Sequence, residues 1–168
     1  MAIQRRRVYT TAEVDQIIRA SERRTSRNGI RGHTGVRHVL ITNVELADRA
    51  DGFDTDMPLA CAFSGTPEAV RAVTEALNSA EGQAALQFLD DNYPTGIRVR
   101  LEAAVTPFVA RYSGGMTIVR TATVPSVLVL LERTEEPAYH GLHIHTAFPI
   151  LTFRRGRAAW LDSRSVWH

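Results

Sequence analysis

The chain contains no lysine; its 20 Lys/Arg positions are all arginine. Chemistry that needs a flexible ammonium is thereby excluded. Every cation is a guanidinium, permanently charged and able to grip a phosphate through two parallel hydrogen bonds. There is one cysteine, Cys61, so no internal disulfide holds the fold. Within the run PLACAFSG, Cys61 reads as a small core residue and not as a nucleophile. No stretch approaches the ~20 consecutive apolar residues of a membrane-crossing helix. The opening MAIQRRRVYTTAEVD is basic, but no apolar run follows it as a secretory signal peptide requires. Export would then depend on another system or on a segment removed from the chain.

What is present suits one globular domain. The 168 residues, 44% of them hydrophobic, can bury a core of ordinary size. The net charge of +2 is unevenly spread. Residues 1–38 carry nine arginines against three acids, residues 39–149 seven against fourteen, and residues 150–168 four against one. Basic ends around an acidic middle suit a phosphate-rich partner, although solvated faces produce the same count.

Periodicity divides the chain into a helical first half and a stranded second half. TTAEVDQIIRASERR places Val14, Ile17 and Ile18 at helical spacing behind a capping box of Thr10 and Glu13. The polar run SERRTSRNG follows, so residues 1–30 read as an adaptor or delivery helix plus linker. GHTGVRHVLI opens a helix near Gly32–Thr34. TNVELADRADG forms another, with Thr42 and Glu45 as its capping box and Gly52 beyond its end. SGTPEAVRAVTEALNSAEGQAALQFLDD predicts one or two more, with Thr66 as cap, Pro67 as first helical residue and a break at NSAEG. From residue 97 onward IRVRLEAAV, FVARY, MTIVRTATV, SVLVLLER and LHIHTAFPIL read as strands. The expected fold is α+β: N-terminal helices packed on a C-terminal antiparallel sheet.

The histidines fall into two groups, His33 with His38 and His140 with His143 and His145; His168 ends the chain. The H-x-H of His143 and His145 would put two imidazoles on one strand face, but no Glu, Asp or Cys accompanies it at a usual ligand spacing. Strict alternation puts Leu142, Ile144, Thr146 and Phe148 on one face of the last strand and His143, His145 and Ala147 on the other. A hydroxyl at Thr146 among apolar neighbours needs a partner.

Read together, GHTGVRHV (32–39), LADR (46–49) and TAFP (146–149) resemble the RNase A-like toxin domains of bacterial contact-dependent inhibition and other polymorphic toxins. That family has a G-H-T-x-x-R-H-V element, an L-x-x-R element on the next helix and a closing T-A-Y-P strand. AFSG followed by an Ala-rich helix also fits its middle. The resemblance implies an RNase A-like fold without disulfides and an active site of His38, Arg49, Thr146 and Phe148. The family's tyrosine is Phe148 here, and a phenylalanine can stack on a base but cannot donate a proton or hydrogen bond.

Metal-free RNA cleavage needs a base for the 2′-OH, positive charge for the phosphorane and an acid for the leaving oxygen. The assignment is His38 as base, Arg49 on the phosphorane and Thr146 on a phosphate oxygen. His33, Arg37 and His145 are candidates for the acid or for substrate contact, with His33 and His145 expected to point away from the site. No cofactor or metal is expected. The expected partners are RNA and a cognate immunity protein, the expected setting a delivered effector in a target-cell cytoplasm. The domain boundaries are residues 1–30, a catalytic domain at 31–152 and a basic tail at 153–168. The alternatives are a catalytically impaired RNA- or protein-binding module, and a small metal enzyme using His140, His143 and His145.

Overall fold

A computed structural model describes residues 8–52, 60–113, 118–135 and 140–150, together with the backbone of a strand at 159–161. The basic tail at 153–168 and His168 lie outside these residues apart from that strand. Five helices, α1 (Thr11–Arg23), α2 (Thr34–His38), α3 (Asn43–Asp51), α4 (Thr66–Asn78) and α5 (Ala80–Asp91), join strands β1 (Ala60–Phe63), β2 (Arg98–Ser113), β3 (Val119–Arg133), β4 (Leu142–Pro149) and β5 (Ala159–Leu161). The sheet is antiparallel in the order β1-β2-β3-β4, with β5 pairing β2 at Arg98–Arg100. The α+β architecture expected from the sequence is thus the observed one.

Local chemistry accounts for the helix starts. Thr10 and Glu13 cap α1, and Thr42 and Glu45 cap α3, each as a reciprocal box. Helix α4 begins one residue earlier than expected, with Gly65 as N-cap and Pro67 in its first turn. Ser79 ends α4 and caps α5. Strand β1 was not foreseen, because a four-residue apolar run carries no period of its own.

One face of the sheet holds the main core. Val99, Leu101, Val127, Val129, Leu131, Leu142, Ile144 and Ala147 pack there against α1, α4 and α5. Helix α1 contributes the fully buried Val14 and Ile17 to this core, and the Ser21 hydroxyl accepts the Ile144 amide at 3.0 Å. Of the residues 1–30 read as an adaptor or delivery helix plus linker, the described helix α1 packs on the sheet: an amphipathic helix needs a surface to bury its stripe, and this one uses the domain's own sheet. A smaller core on the opposite face sets Leu46 and Ala50 of α3 against Ala60 and Ala62 of β1.

Candidate active site

Strand β4 departs from strict alternation. Leu130 faces Thr146 and Leu131 faces Ile144, so His145 is an extra residue in the ladder. Such a bulge reverses the side-chain phase beyond it. Leu142, Ile144 and Ala147 point into the main core, whereas Thr146 and Phe148 share the opposite face with Leu130 and Leu128, their partners on β3. The face assignment from alternation is thus corrected: Thr146 and Phe148 keep company with each other but not with Ile144, and His145 does not turn away from them.

Helix α2 lies over this face. The His38 ring sits 5.1 Å from the Phe148 ring, centroid to centroid, and 5.9 Å from His33. His33, expected to point elsewhere, is the residue before α2; its amide donates to the His145 carbonyl at 2.9 Å, which ties the start of α2 to β4. Glycine at position 32 permits this approach. A Cβ there would stand 2.8 Å from the Ile144 carbonyl oxygen and from Ser21. The Glu22 carboxylate accepts the Gly35 amide, and the Val36 amide at 3.4 Å, at the open N-terminus of α2. Sequence reading missed Glu22 because its partners lie thirteen and fourteen residues away.

Two further arginines complete the frame. Arg49 of α3 donates to the Arg37 carbonyl at 2.6 Å, placing its guanidinium beside the last turn of α2. Arg111 of β2 donates to the Val39 carbonyl and to Asn43, both at 3.1 Å, and holds the α2–α3 connection on the sheet. Arg111 carried no motif signal. Arg98 and Arg100, opposite Glu132 and Leu130, share the Thr146 face and were also missed; Arg100 pairs with Glu102.

Burial pushes the His38 pKa down to about 4. The cationic neighbours His33, Arg49 and Arg37 push the same way, and the Cys61 backbone opposes them. Cys61, half-buried on β1, thus serves His38 through its main chain. His33 is lowered by burial and then by Arg37, His145 and Arg49, against the Arg31 carbonyl. Both rings are neutral near pH 7 in the free protein and can accept protons. The Thr146 and Thr34 hydroxyl oxygens are buried without a hydrogen-bond partner, a costly state unless a ligand supplies one.

The second histidine group behaves differently. His143 and His145 are 3% and 1% exposed, with rings edge-on at 4.9 Å. Glu132 faces His145 at 3.3 Å, without the alignment of a hydrogen bond, since the His145 ring nitrogens find no aligned acceptor. Asn28 also donates to Glu132. Burial and His145 lower the His143 pKa to about 4. Burial pushes the Glu132 carboxyl up, but His145, Ser26 and Asn28 together hold it below its usual range. His140 sits on a turn against Gln16 and Glu13 of α1. The His140, His143 and His145 set therefore does not converge, and no group of three metal-ligating side chains forms among the described residues.

The fold and the site define a class: a small α+β domain whose sheet face and covering helices set the His38 ring beside Phe148 and His33, with the Arg49 guanidinium at the last turn of α2. The particular family follows from comparison. Residues 32–149 match the bacterial CdiA-CT RNAse A domain, and the chain belongs to this family of ribonuclease toxin domains. The crystal structure of a CdiA-CT/CdiI complex from Y. kristensenii 33638 contains a similar chain, with 23% identity, a TM-score of 0.54, and coverage of 71% of this chain and 99% of that one. No curated protein matches.

Proposed function

We infer that this domain cleaves RNA without a metal, by attack of a ribose 2′-oxygen on the adjacent phosphorus. The observation that carries the reading is the partly buried His38 ring, tilted 5.1 Å from Phe148 and 5.9 Å from His33, with Arg49 and Arg37 as its charged neighbours. His38 takes the 2′-OH proton as general base. The oxygen forms a bond to phosphorus, the 5′-oxygen leaves with a proton from an acid, and a 2′,3′-cyclic phosphate remains. Arg49 stabilises the charge of the phosphorane, and the unpartnered Thr146 hydroxyl donates to a phosphate oxygen. His33 is the better-placed acid: His145 is enclosed beside Glu132, and the negative charge of the phosphodiester and of the phosphorane would oppose the cations that now lower His33. Phe148 walls the site and stacks on a base.

An immunity protein is the expected inhibitor. Val36, Leu40 and Val44 are 60%, 73% and 70% exposed beside Arg37 and Arg49, an apolar and cationic rim that an acidic partner with an apolar centre would cover. Delivery into a target-cell cytoplasm is the setting in which such a pairing makes sense. The test incubates total RNA in EDTA with the wild-type chain and with His38→Ala. Cleavage by the first and not the second supports the reading; RNA bound but uncut by the wild type points to a binding module.

A further inference from the structure

Helix α2 carries His38 on five residues, Thr34–His38, well below the ~12 at which an isolated helix becomes even marginal in water. Its seat must come from other elements. Helices α1 and α3 cap themselves, each with a threonine and a glutamate three residues on. Helix α2 has His33 at its N-cap and no side-chain cap of its own. Its amides at Gly35 and Val36 donate instead to the Glu22 carboxylate, held out from the last turn of α1. Guanidiniums hold the opposite end: Arg49 donates to the Arg37 carbonyl at 2.6 Å and Arg111 to the Val39 carbonyl at 3.1 Å. A carboxylate at the amide end and cations at the carbonyl end both match the helix dipole.

Gly35 makes room for this contact, since a Cβ there would stand 2.8 Å from a Glu22 carboxylate oxygen. Docking of α1 does not depend on Glu22. Val14 and Ile17 are fully buried, and the Tyr9 main chain exchanges hydrogen bonds of 2.9 and 2.8 Å with the Asn78 side chain. Ser21 accepts the Ile144 amide through its hydroxyl and the Gly32 amide through its carbonyl. The half-buried Glu22 also precedes the family segment, which begins at residue 32. We propose that Glu22 is a positioning residue: by seating the start of α2 it sets the His38 ring against Phe148, and it makes α1 part of the catalytic unit. The proposal rests on the ribonuclease reading above.

The test uses the full chain and a dinucleotide substrate, with kcat and KM measured separately and the folded fraction taken from thermal melts. Glu22→Ala should lower kcat by up to about 10²-fold, the effect of moving a reacting group by roughly 1 Å, with KM little changed. Glu22→Gln keeps an oxygen acceptor in place and should recover most of the rate. Amide hydrogen exchange at Gly35 and Val36 should quicken in Glu22→Ala and not in Glu22→Gln. Gly35→Ala is an independent probe. It should slow the otherwise unchanged chain, because its methyl displaces the carboxylate. In the Glu22→Ala background it should do no further harm, since alanine favours a helix and nothing is left to displace. A wild type that cleaves RNA at a rate kept in Glu22→Ala overturns the role of Glu22 and leaves the ribonuclease reading standing. So do additive losses from the Glu22 and Gly35 changes, a Glu22→Gln as slow as Glu22→Ala, or a loss explained by the folded fraction alone. A wild type that cleaves no RNA in EDTA rejects the ribonuclease reading, and the catalytic role of Glu22 with it.

Discussion

His33 with His38 and His143 with His145 are two imidazole pairs a few ångströms apart within each pair, and they occupy different chemical worlds. The first pair is half-buried and has Arg37 and Arg49 as its charged neighbours. The second is enclosed, sits on an acid and is closed over by the loop that carries Ser26 and Asn28. Burial lowers His38 and His143 alike, but the arginines of the first pair leave positive charge for an anion to balance. An acidic surround supplies that balance from within. Two equal pairs of histidines in the sequence therefore stand in unequal electrostatic surroundings.

The largest expected effect tests the first pair. His38→Ala should lower cleavage by about 10²–10⁴-fold, the usual worth of a positioned base, with the thermal melt little changed. A similar loss in Glu132→Gln without any loss of stability would break the contrast, because it would make the second pair catalytic.

Both pairs depend on α1, which carries Glu22 to α2 and leads into the loop over His143. Ile17→Ala should cost about 2–5 kcal/mol of stability in denaturant unfolding, as for other fully buried aliphatic truncations. A loss well below this would mean that α1 is docked too weakly to support either pair.

Glu132→Gln should then cost about 1.5–3 kcal/mol, the range for hydrogen bonds to a charged group, with cleavage per folded molecule within a few-fold of wild type. Unfolding titrations together with single-turnover cleavage separate the two effects.

The pairs should also be visible in pH profiles. His38 must be neutral to act as base, so the acid limb of kcat/KM, which reports the free enzyme, should fall near 4 and not near the ordinary 6.5. His143 is likewise lowered to about 4, so the unfolded chain binds more protons than the folded one between about 4 and 6.5. Stability should decline as pH falls through that window; Glu132, with its lowered pKa, adds a loss at the acid end. A His143→Gln variant with an unchanged stability profile would remove His143 from this account.

The smallest effects concern Phe148. If its ring stacks on a base, Phe148→Ala should weaken RNA binding by about 1–3 kcal/mol and Phe148→Tyr should change cleavage little. If a tyrosine hydroxyl is needed, Phe148→Tyr should raise cleavage about tenfold per ~1.4 kcal/mol regained. Wild-type behaviour in both variants would make the ring core packing.

Much of this was legible in the residues themselves. The capping boxes at Thr10–Glu13 and Thr42–Glu45, the break at Ser79 and the change from helical to strand period are local physics, written in neighbouring side chains. The short elements around Gly32, Arg49 and Thr146 pointed to the family. Tertiary structure alone decided the rest. A bulge is one unpaired residue in a ladder, invisible until β3 lies beside β4, yet it turns Thr146 and Phe148 toward His38 and away from the core. The seat of α1 on the sheet, the reach of Glu22 to α2 and the grip of Arg111 on the α2–α3 connection are contacts between distant parts of the chain. The sequence by itself determined which groups were available and which elements would carry them. Only packing determined which face each group met, because side-chain direction depends on register and burial on what covers it.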